Sequence, residues 1–120
     1  MPSRESAEEA GRVWYFVRDL DAARTFYTEK LGFAETYVGE DGSAAELERE
    51  GMLIALSEGE PQERGVAAVD VPDVRAEAER LRTEDVEVGV VLEIAGEVRI
   101  VDVYDPDGNR LQLVEQVEER

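Results

Sequence analysis

The side chains able to do chemistry in this 120-residue chain are few, and two residue types that usually do such work are missing. There is no histidine and no cysteine. That removes the commonest general base, the commonest transition-metal ligand and all thiol chemistry. What remains is Arg12 and the single tryptophan, Trp14, at the head of Val13-Trp14-Tyr15-Phe16-Val17; Asp70, closing Val66-Ala67-Ala68-Val69-Asp70; and Arg110 and Gln112 in Arg110-Leu111-Gln112-Leu113-Val114. Trp14 could stack on a planar or cationic ligand, or pack in a core. Arg12 and Arg110 could clamp a carboxylate or phosphate, or pair with acids such as Asp70 and Glu115. Gln112 could orient a ligand or satisfy its neighbours. Asp70 or a nearby glutamate could serve as a metal-free acid or base if its pKa were raised, but no spacing singles one out among 30 acids. No nucleophile motif and no phosphate-cradling glycine loop is present.

Composition narrows the classes further. Thirty acids against 13 bases give a formal charge of −17. Such a field repels nucleic acid and anionic membranes, and it suits either a cationic ligand or plain solubility and habitat. No apolar run approaches the ~20 residues of a membrane span, and residues 1–12 carry no apolar signal-peptide core, so a cytoplasmic protein is expected. Self-repulsion makes a stability prediction: raising NaCl from about 10 mM to about 0.5 M should lift the melting temperature by several degrees. A calorimetric melt that is flat or falls with salt would contradict it.

The elements that must position these residues can be read in order. Val13–Val17 reads as a buried strand. Asp19 is a good N-cap, and Leu20, Ala23, Tyr27 and Leu31 recur at helical spacing, so a helix is expected over residues 19–31. Gly32 suits the left-handed residue after it, with Phe33 as the apolar contact that follows. Strands follow at Phe33–Val38, Ala44–Glu48 and Met52–Ser57. Then the pattern restarts: a strand at Val66–Val71, a helix capped by Asp73 with the stripe Val74, Ala78 and Leu81, a strand from Val86 to Leu92 or Ile94, another at Val98–Tyr104, and the turn Asp105-Pro106-Asp107-Gly108-Asn109 feeding a last alternating strand. At an offset of 54 residues Val17 falls on Val71, Asp19 on Asp73, Leu20 on Val74, Ala22 on Ala76 and Tyr27 on Leu81. The expected fold is α+β: two tandem β-α-β-β-β modules forming a curved, cavity-enclosing mixed sheet with helices outside. One domain is expected, with a flexible tail over 1–11, modules at 12–58 and 66–117, and a linker at 59–65.

Two stretches carry a family resemblance. Val17-Arg18-Asp19-Leu20-Asp21-Ala22-Ala23-Arg24-Thr25-Phe26-Tyr27 with Leu31-Gly32-Phe33, and Asp105-Pro106-Asp107-Gly108-Asn109, together resemble the vicinal oxygen chelate superfamily, also called the glyoxalase/bleomycin resistance protein/dioxygenase superfamily. The resemblance covers roughly residues 12–116. It implies a divalent metal held in the cavity by four residues, usually His or Gln, Glu, His and Glu. Carried over position by position, those ligands fall on Arg12, Ala55, Val66 and Gln112. Arginine is a permanent cation, alanine and valine carry no donor, and one neutral glutamine oxygen cannot hold a catalytic metal. No metal and no other cofactor is therefore expected.

If position 12 faces the cavity, strand alternation places Trp14 and Phe16 beside it, Leu53 and Ser57 around Ala55, Ala68 and Asp70 with Val66, and Arg110, Gln112 and Val114 together. The candidate ligand-binding set is Arg12, Trp14, Phe16, Ser57, Asp70, Arg110 and Gln112. Arg99, Asp102 and Tyr104 could close the cavity. Three functions fit: a metal-free small-molecule binder similar to the bleomycin-resistance branch, where the resemblance implies a homodimer; an enzyme of the same fold (lyase, isomerase or dioxygenase) using a non-standard metal site or none; or a structural or regulatory protein with a vestigial cavity.

Overall fold

The computed structural model describes residues 12–61 and 66–117. The tail expected over 1–11 and most of the linker at 59–65 lie outside the described residues. The first half runs β1 (Arg12–Val17), α1 (Leu20–Thr25) continuing into a π-helical turn (Phe26–Lys30), β2 (Ala34–Val38), β3 (Ala44–Arg49) and β4 (Met52–Glu58). The second runs β5 (Ala67–Asp70), α2 (Val74–Thr83), β6 (Glu87–Val88), β7 (Leu92–Ile94), β8 (Val98–Tyr104) and β9 (Arg110–Gln116). The strands make two mixed sheets, ordered β1-β4-β3-β2 and β5-β9-β8-β6, with β7 also on β8. In each half the first strand runs parallel to the last and the other pairs are antiparallel. This is the α+β architecture of paired curved sheets expected from the sequence.

The repeat at offset 54 is visible atom by atom. Asp19 accepts from Ala22 N at 3.1 Å, and Asp73 accepts from Ala76 N at 3.0 Å. Each helix start also receives a glutamate from its own sheet: Leu20 N donates to Glu58 at 3.2 Å and Val74 N to Glu115 at 3.0 Å. Orphan N–H groups at a helix start are satisfied by carboxylates that the helix dipole also favours. Leu20 and Val74, then Tyr27 and Leu81, enter one core at equivalent places, together with Val17, Leu47, Ile54, Leu56, Val69, Val101, Val103, Leu111 and Leu113.

Two elements differ from the sequence expectation. The helix expected over residues 19–31 is α-helical only to Thr25; beyond it Leu31 N–H reaches back five residues to the Phe26 carbonyl at 3.3 Å. The wider turn seats Tyr27 fully in the core with its hydroxyl 2.8 Å from Asp105. Gly32, at φ 74°, then ends the segment. The strand expected from Val86 to Leu92 or Ile94 is two short strands. Val88 pairs with Val103 and Leu92 with Ile100, so β6–β7 spends three residues where β8 spends two. That surplus residue breaks the ladder just past the Gly89 N–H, which still donates to the Asp102 carbonyl at 2.8 Å, while Arg82 takes the Gly89 carbonyl at 2.7 Å.

Tyr15 joins the halves. Its hydroxyl accepts from Ala67 N at 3.0 Å and donates to the Arg110 carbonyl. Burial pushes this phenol up to about 12. Burial, then the Asp105 carboxylate, pushes Tyr27 well above its usual value. Folded values above the unfolded one mean that these phenols stabilise the fold fully below pH ~10 and that this is lost as pH rises through the folded values. A cooperative alkaline unfolding near pH ~11–12 is expected, with their tyrosinate absorbance at 295 nm appearing together with loss of the far-ultraviolet dichroism. Their ionisation in a chain that stays folded would contradict this account.

Candidate functional site

Each sheet has one face under the helices and one face open. On β1 Tyr15 and Val17 are buried, whereas Trp14 is 52% exposed. Pairing puts Trp14 beside Ala55 and Phe16 beside Ser57. The indole N–H donates to Ser57 Oγ at 2.9 Å, and the Phe16 ring stacks on Trp14 with centroids 6.1 Å apart. Trp14 is thus a surface residue held in one orientation, not a core tryptophan. Arg12 pairs by its backbone with Leu53 in the same sheet.

The second sheet presents a polar cluster. Ala68 and Asp70 are exposed while Ala67 and Val69 are buried. Ala68 sits beside Gln112 and Asp70 beside Val114. Asp102, from the neighbouring strand, accepts from Arg110 Nη1 at 3.3 Å and from Gln112 Nε2 at 3.2 Å. Of the acids offered from sequence as partners of Arg110, neither Asp70 nor Glu115 is the one found: Glu115 lies on the helix side, bound to Arg99 at 3.1 Å and to the start of α2. Arg99 therefore belongs to the layer under the helix, while Asp102 and Tyr104 share the open face, beside Gln112 and Arg110. The candidate residues form two groups, Trp14, Phe16 and Ser57 on one sheet and Arg110 and Gln112 on the other, with Asp70 on the same open face.

The turn at Asp105 holds the halves together rather than facing a ligand. Asp105 is buried and accepts four hydrogen bonds: from Asp107 N and Asn109 N through Oδ1, and from Tyr27 Oη and Asn109 Nδ2 through Oδ2, all between 2.8 and 2.9 Å. Asn109 Nδ2 also donates to the Phe16 carbonyl at 3.1 Å. Burial pushes the Asp105 carboxyl up, and the donors from Asn109, Tyr27 and Asp107 pull it back.

The residues do not fit the metal that this architecture carries elsewhere. Gln112 offers only one neutral amide oxygen, Ala55 and Val66 have no donor atom, and no group of three or more His, Cys, Asp or Glu that could hold an ion occurs among the described residues.

Paired β-α-β-β-β halves, each sheet covered by a helix on one side and open on the other, define a paired-module scaffold. The chain belongs to the Glyoxalase/Bleomycin resistance protein/Dioxygenase superfamily, whose family model matches residues 10–113. Among solved structures it is similar to a member of that superfamily from Sphaerobacter thermophilus (21% identity over 88% of this chain and 94% of that one, TM-score 0.75). It is similar to TnmS3, an antibiotic binding protein from a Streptomyces species (24%, 88% and 93%, TM-score 0.70). It also resembles the fosfomycin resistance protein FosX of Listeria monocytogenes (24%, 88% and 91%, TM-score 0.72). No curated protein sequence matches the chain.

One further open-face residue, Tyr37, is not legible in the sequence. Alternation from Phe33 would turn Tyr37 toward the helix. A bulge between Glu35 and Tyr37 flips it, so that Glu35 pairs with Leu47 on the helix side and Tyr37 with Glu46 on the open side.

Proposed function

We propose that this protein binds a small molecule on its open sheet face without a metal, in the manner of the antibiotic-binding members of its superfamily. The observation that carries the reading is Trp14: half exposed, oriented by Ser57 and backed by Phe16, on a sheet whose family ligand position is Ala55. A rigid aromatic wall with a few hydrogen-bonding groups is what a small-molecule site needs, and a fold that hosts many chemistries leaves the site to decide. Arg12, Trp14, Phe16, Ser57, Asp70, Arg110 and Gln112 are the contact residues of this reading, with Asp102 holding the Arg110 and Gln112 side chains. Binding is the whole activity in this reading.

The proposal extends to a homodimer working in the cytoplasm. Val90, Leu92 and Ile94 are between 50% and 76% exposed, and two of them belong to a strand that pairs only with β8. Such a stripe on a chain of charge −17 suits a second copy better than water.

The experiment is a titration read by Trp14 fluorescence and thermal shift together, with Mn²⁺, Zn²⁺, Ni²⁺ and Fe²⁺, then glycopeptide antibiotics, planar aromatics and small acids. Saturable quenching by an organic ligand with no metal response is expected. A stoichiometric metal response in the micromolar range would overturn it.

A further inference from the structure

We propose that the ligand is a neutral, planar ring compound with a cis-amide edge, the N–H and C=O of a lactam or imide, and that Gln112 and Arg110 read that edge in the hold of Asp102. The proposal rests on the small-molecule reading above and names the ligand class.

Strand register lines up one row on the open face of the second sheet. Ala68 on β5 pairs with Gln112 on β9, and Gln112 with Asp102 on β8. Beyond Asp102 comes Gly89, whose N–H donates to the Asp102 carbonyl at 2.8 Å. The two polar side chains are therefore flanked by an alanine and a glycine, which leave room above them for a flat ring. Arg110 lies two residues before Gln112 and shares its face. The junction between the halves brings the aromatic wall to this row. The Tyr15 hydroxyl meets Ala67 N and the Arg110 carbonyl, so its neighbour Trp14 borders the same junction as Ala68 and Arg110.

Asp102 fixes how Gln112 stands. An ionised carboxylate only accepts, so the amide turns its nitrogen to Asp102, and the 3.2 Å bond from Nε2 assigns the other end as the carbonyl. Among the described residues, Gln112 Oε1 and the second amide N–H have no hydrogen-bond partner. Arg110 spends Nη1 on the other Asp102 oxygen, at 3.3 Å, and keeps its remaining N–H groups. One carboxylate thus sets a free carbonyl beside free donors, held in place before any ligand arrives. The complement is a group with a donor next to an acceptor. A ring amide has both, locked cis, and its ring supplies a face for Trp14. The charges decide the rest. Arg110 and Asp102 cancel, so the row is neutral as a whole. An acid would meet Asp102 on a chain of charge −17, and a cation would meet Arg110. A neutral amide meets neither penalty.

The test titrates the full-length protein by calorimetry with 2-quinolone, a planar lactam, and with 1-methyl-2-quinolone, which keeps the ring and the carbonyl but has lost the N–H. The lactam is expected to bind at least about tenfold more tightly, because the methylated compound leaves the Gln112 carbonyl facing a group that cannot donate. Quinoline-2-carboxylate, an acid of similar shape, should bind more weakly than the lactam. Gln112→Met keeps the length of the side chain and removes the amide. It should weaken 2-quinolone about fivefold to tenfold and the methylated compound less than about twofold, with unchanged melts as the check on folding. Trp14→Leu should weaken both quinolones alike, since both present the same ring. Equal binding of the two quinolones, tighter binding of the acid, or equal weakening of both quinolones by Gln112→Met overturns the amide and leaves the small-molecule reading intact. If the quinolones, the acid, the planar aromatics and the antibiotics all fail to bind, both fall.

Discussion

Replacing Asp105 with alanine is expected to cost about 4 kcal/mol, enough to lower the melting temperature by some 15 °C or leave the chain unfolded. The reason is the number of donors that would lose one acceptor. Asp105 takes Asp107 N, Asn109 N, Asn109 Nδ2 and the Tyr27 hydroxyl. Tyr27 is fully buried and cannot turn to water. Each buried donor left without a partner costs roughly 1–3 kcal/mol, and the two least able to relax, Tyr27 Oη and Asn109 N, already reach the figure. Tyr27→Phe removes only one donor and leaves Asp105 three, so it should cost about 1.5 kcal/mol. Urea unfolding of the three proteins measures the difference through the shift in Cm at constant slope. An Asp105→Ala loss below about 1 kcal/mol would mean that the turn is not the bond between the halves described above.

The parts of this molecule that were legible in its sequence are those fixed by neighbours along the chain. Asp19 and Asp73 cap because their acceptors meet N–H groups three residues on, and Gly32 is left-handed because the segment ends there. The alternation that turns Trp14, Ala68, Asp70 and Gln112 to the open faces needs only the strand period. What could not be read depends on partners distant in sequence. Asp102 as the holder of Arg110 and Gln112 follows from β8–β9 register; nothing near Arg110 marks it over Asp70 or Glu115. The π turn follows from the need to bring Tyr27 to a residue 78 positions away. The Asp105 turn is legible as a turn feeding the last strand, but its role as a bond between halves lies in Tyr27 and Phe16, not in the motif. Tyr37 was hidden for a third reason: one bulge reverses a two-residue period, and the sequence of β2 carries no glycine or proline to announce it.

The second large effect concerns Arg49, and it separates what an ion pair contributes from what it costs to break one. Arg49 leaves the end of β3, passes over Gly32, and donates to the Leu31 carbonyl at 2.7 Å and to Glu77 on α2 at 3.3 Å. A glycine suits that crossing through its positive φ, with the guanidinium at ordinary contact distance above it. Beside it Arg80 donates to the Lys30 carbonyl at 2.9 Å, so two guanidiniums meet the negative end of the first helical segment. Glu77 sits between them: its Oε1 makes no hydrogen bond and has Arg80 Nη2 at 3.5 Å. The Arg49 and Glu77 side chains are only 16% and 20% exposed. Arg49→Ala therefore leaves a mostly buried carboxylate with only Arg80 at 3.5 Å and a helix-end carbonyl without its donor, and a loss of about 3 kcal/mol is expected, the lower end for a buried pair because Arg80 and water still reach Glu77. Removing both charges while keeping volume, as Arg49→Met with Glu77→Leu, should cost about 1 kcal/mol or less, since no charge is then left without its partner. The double-mutant cycle, built from Arg49→Met, Glu77→Leu and the two together and measured by urea unfolding, should give a coupling of about 2 kcal/mol or more. Additive losses would mean that Arg49 and Glu77 stabilise the junction separately, through packing on Gly32 and α2, and not as a pair joining the halves.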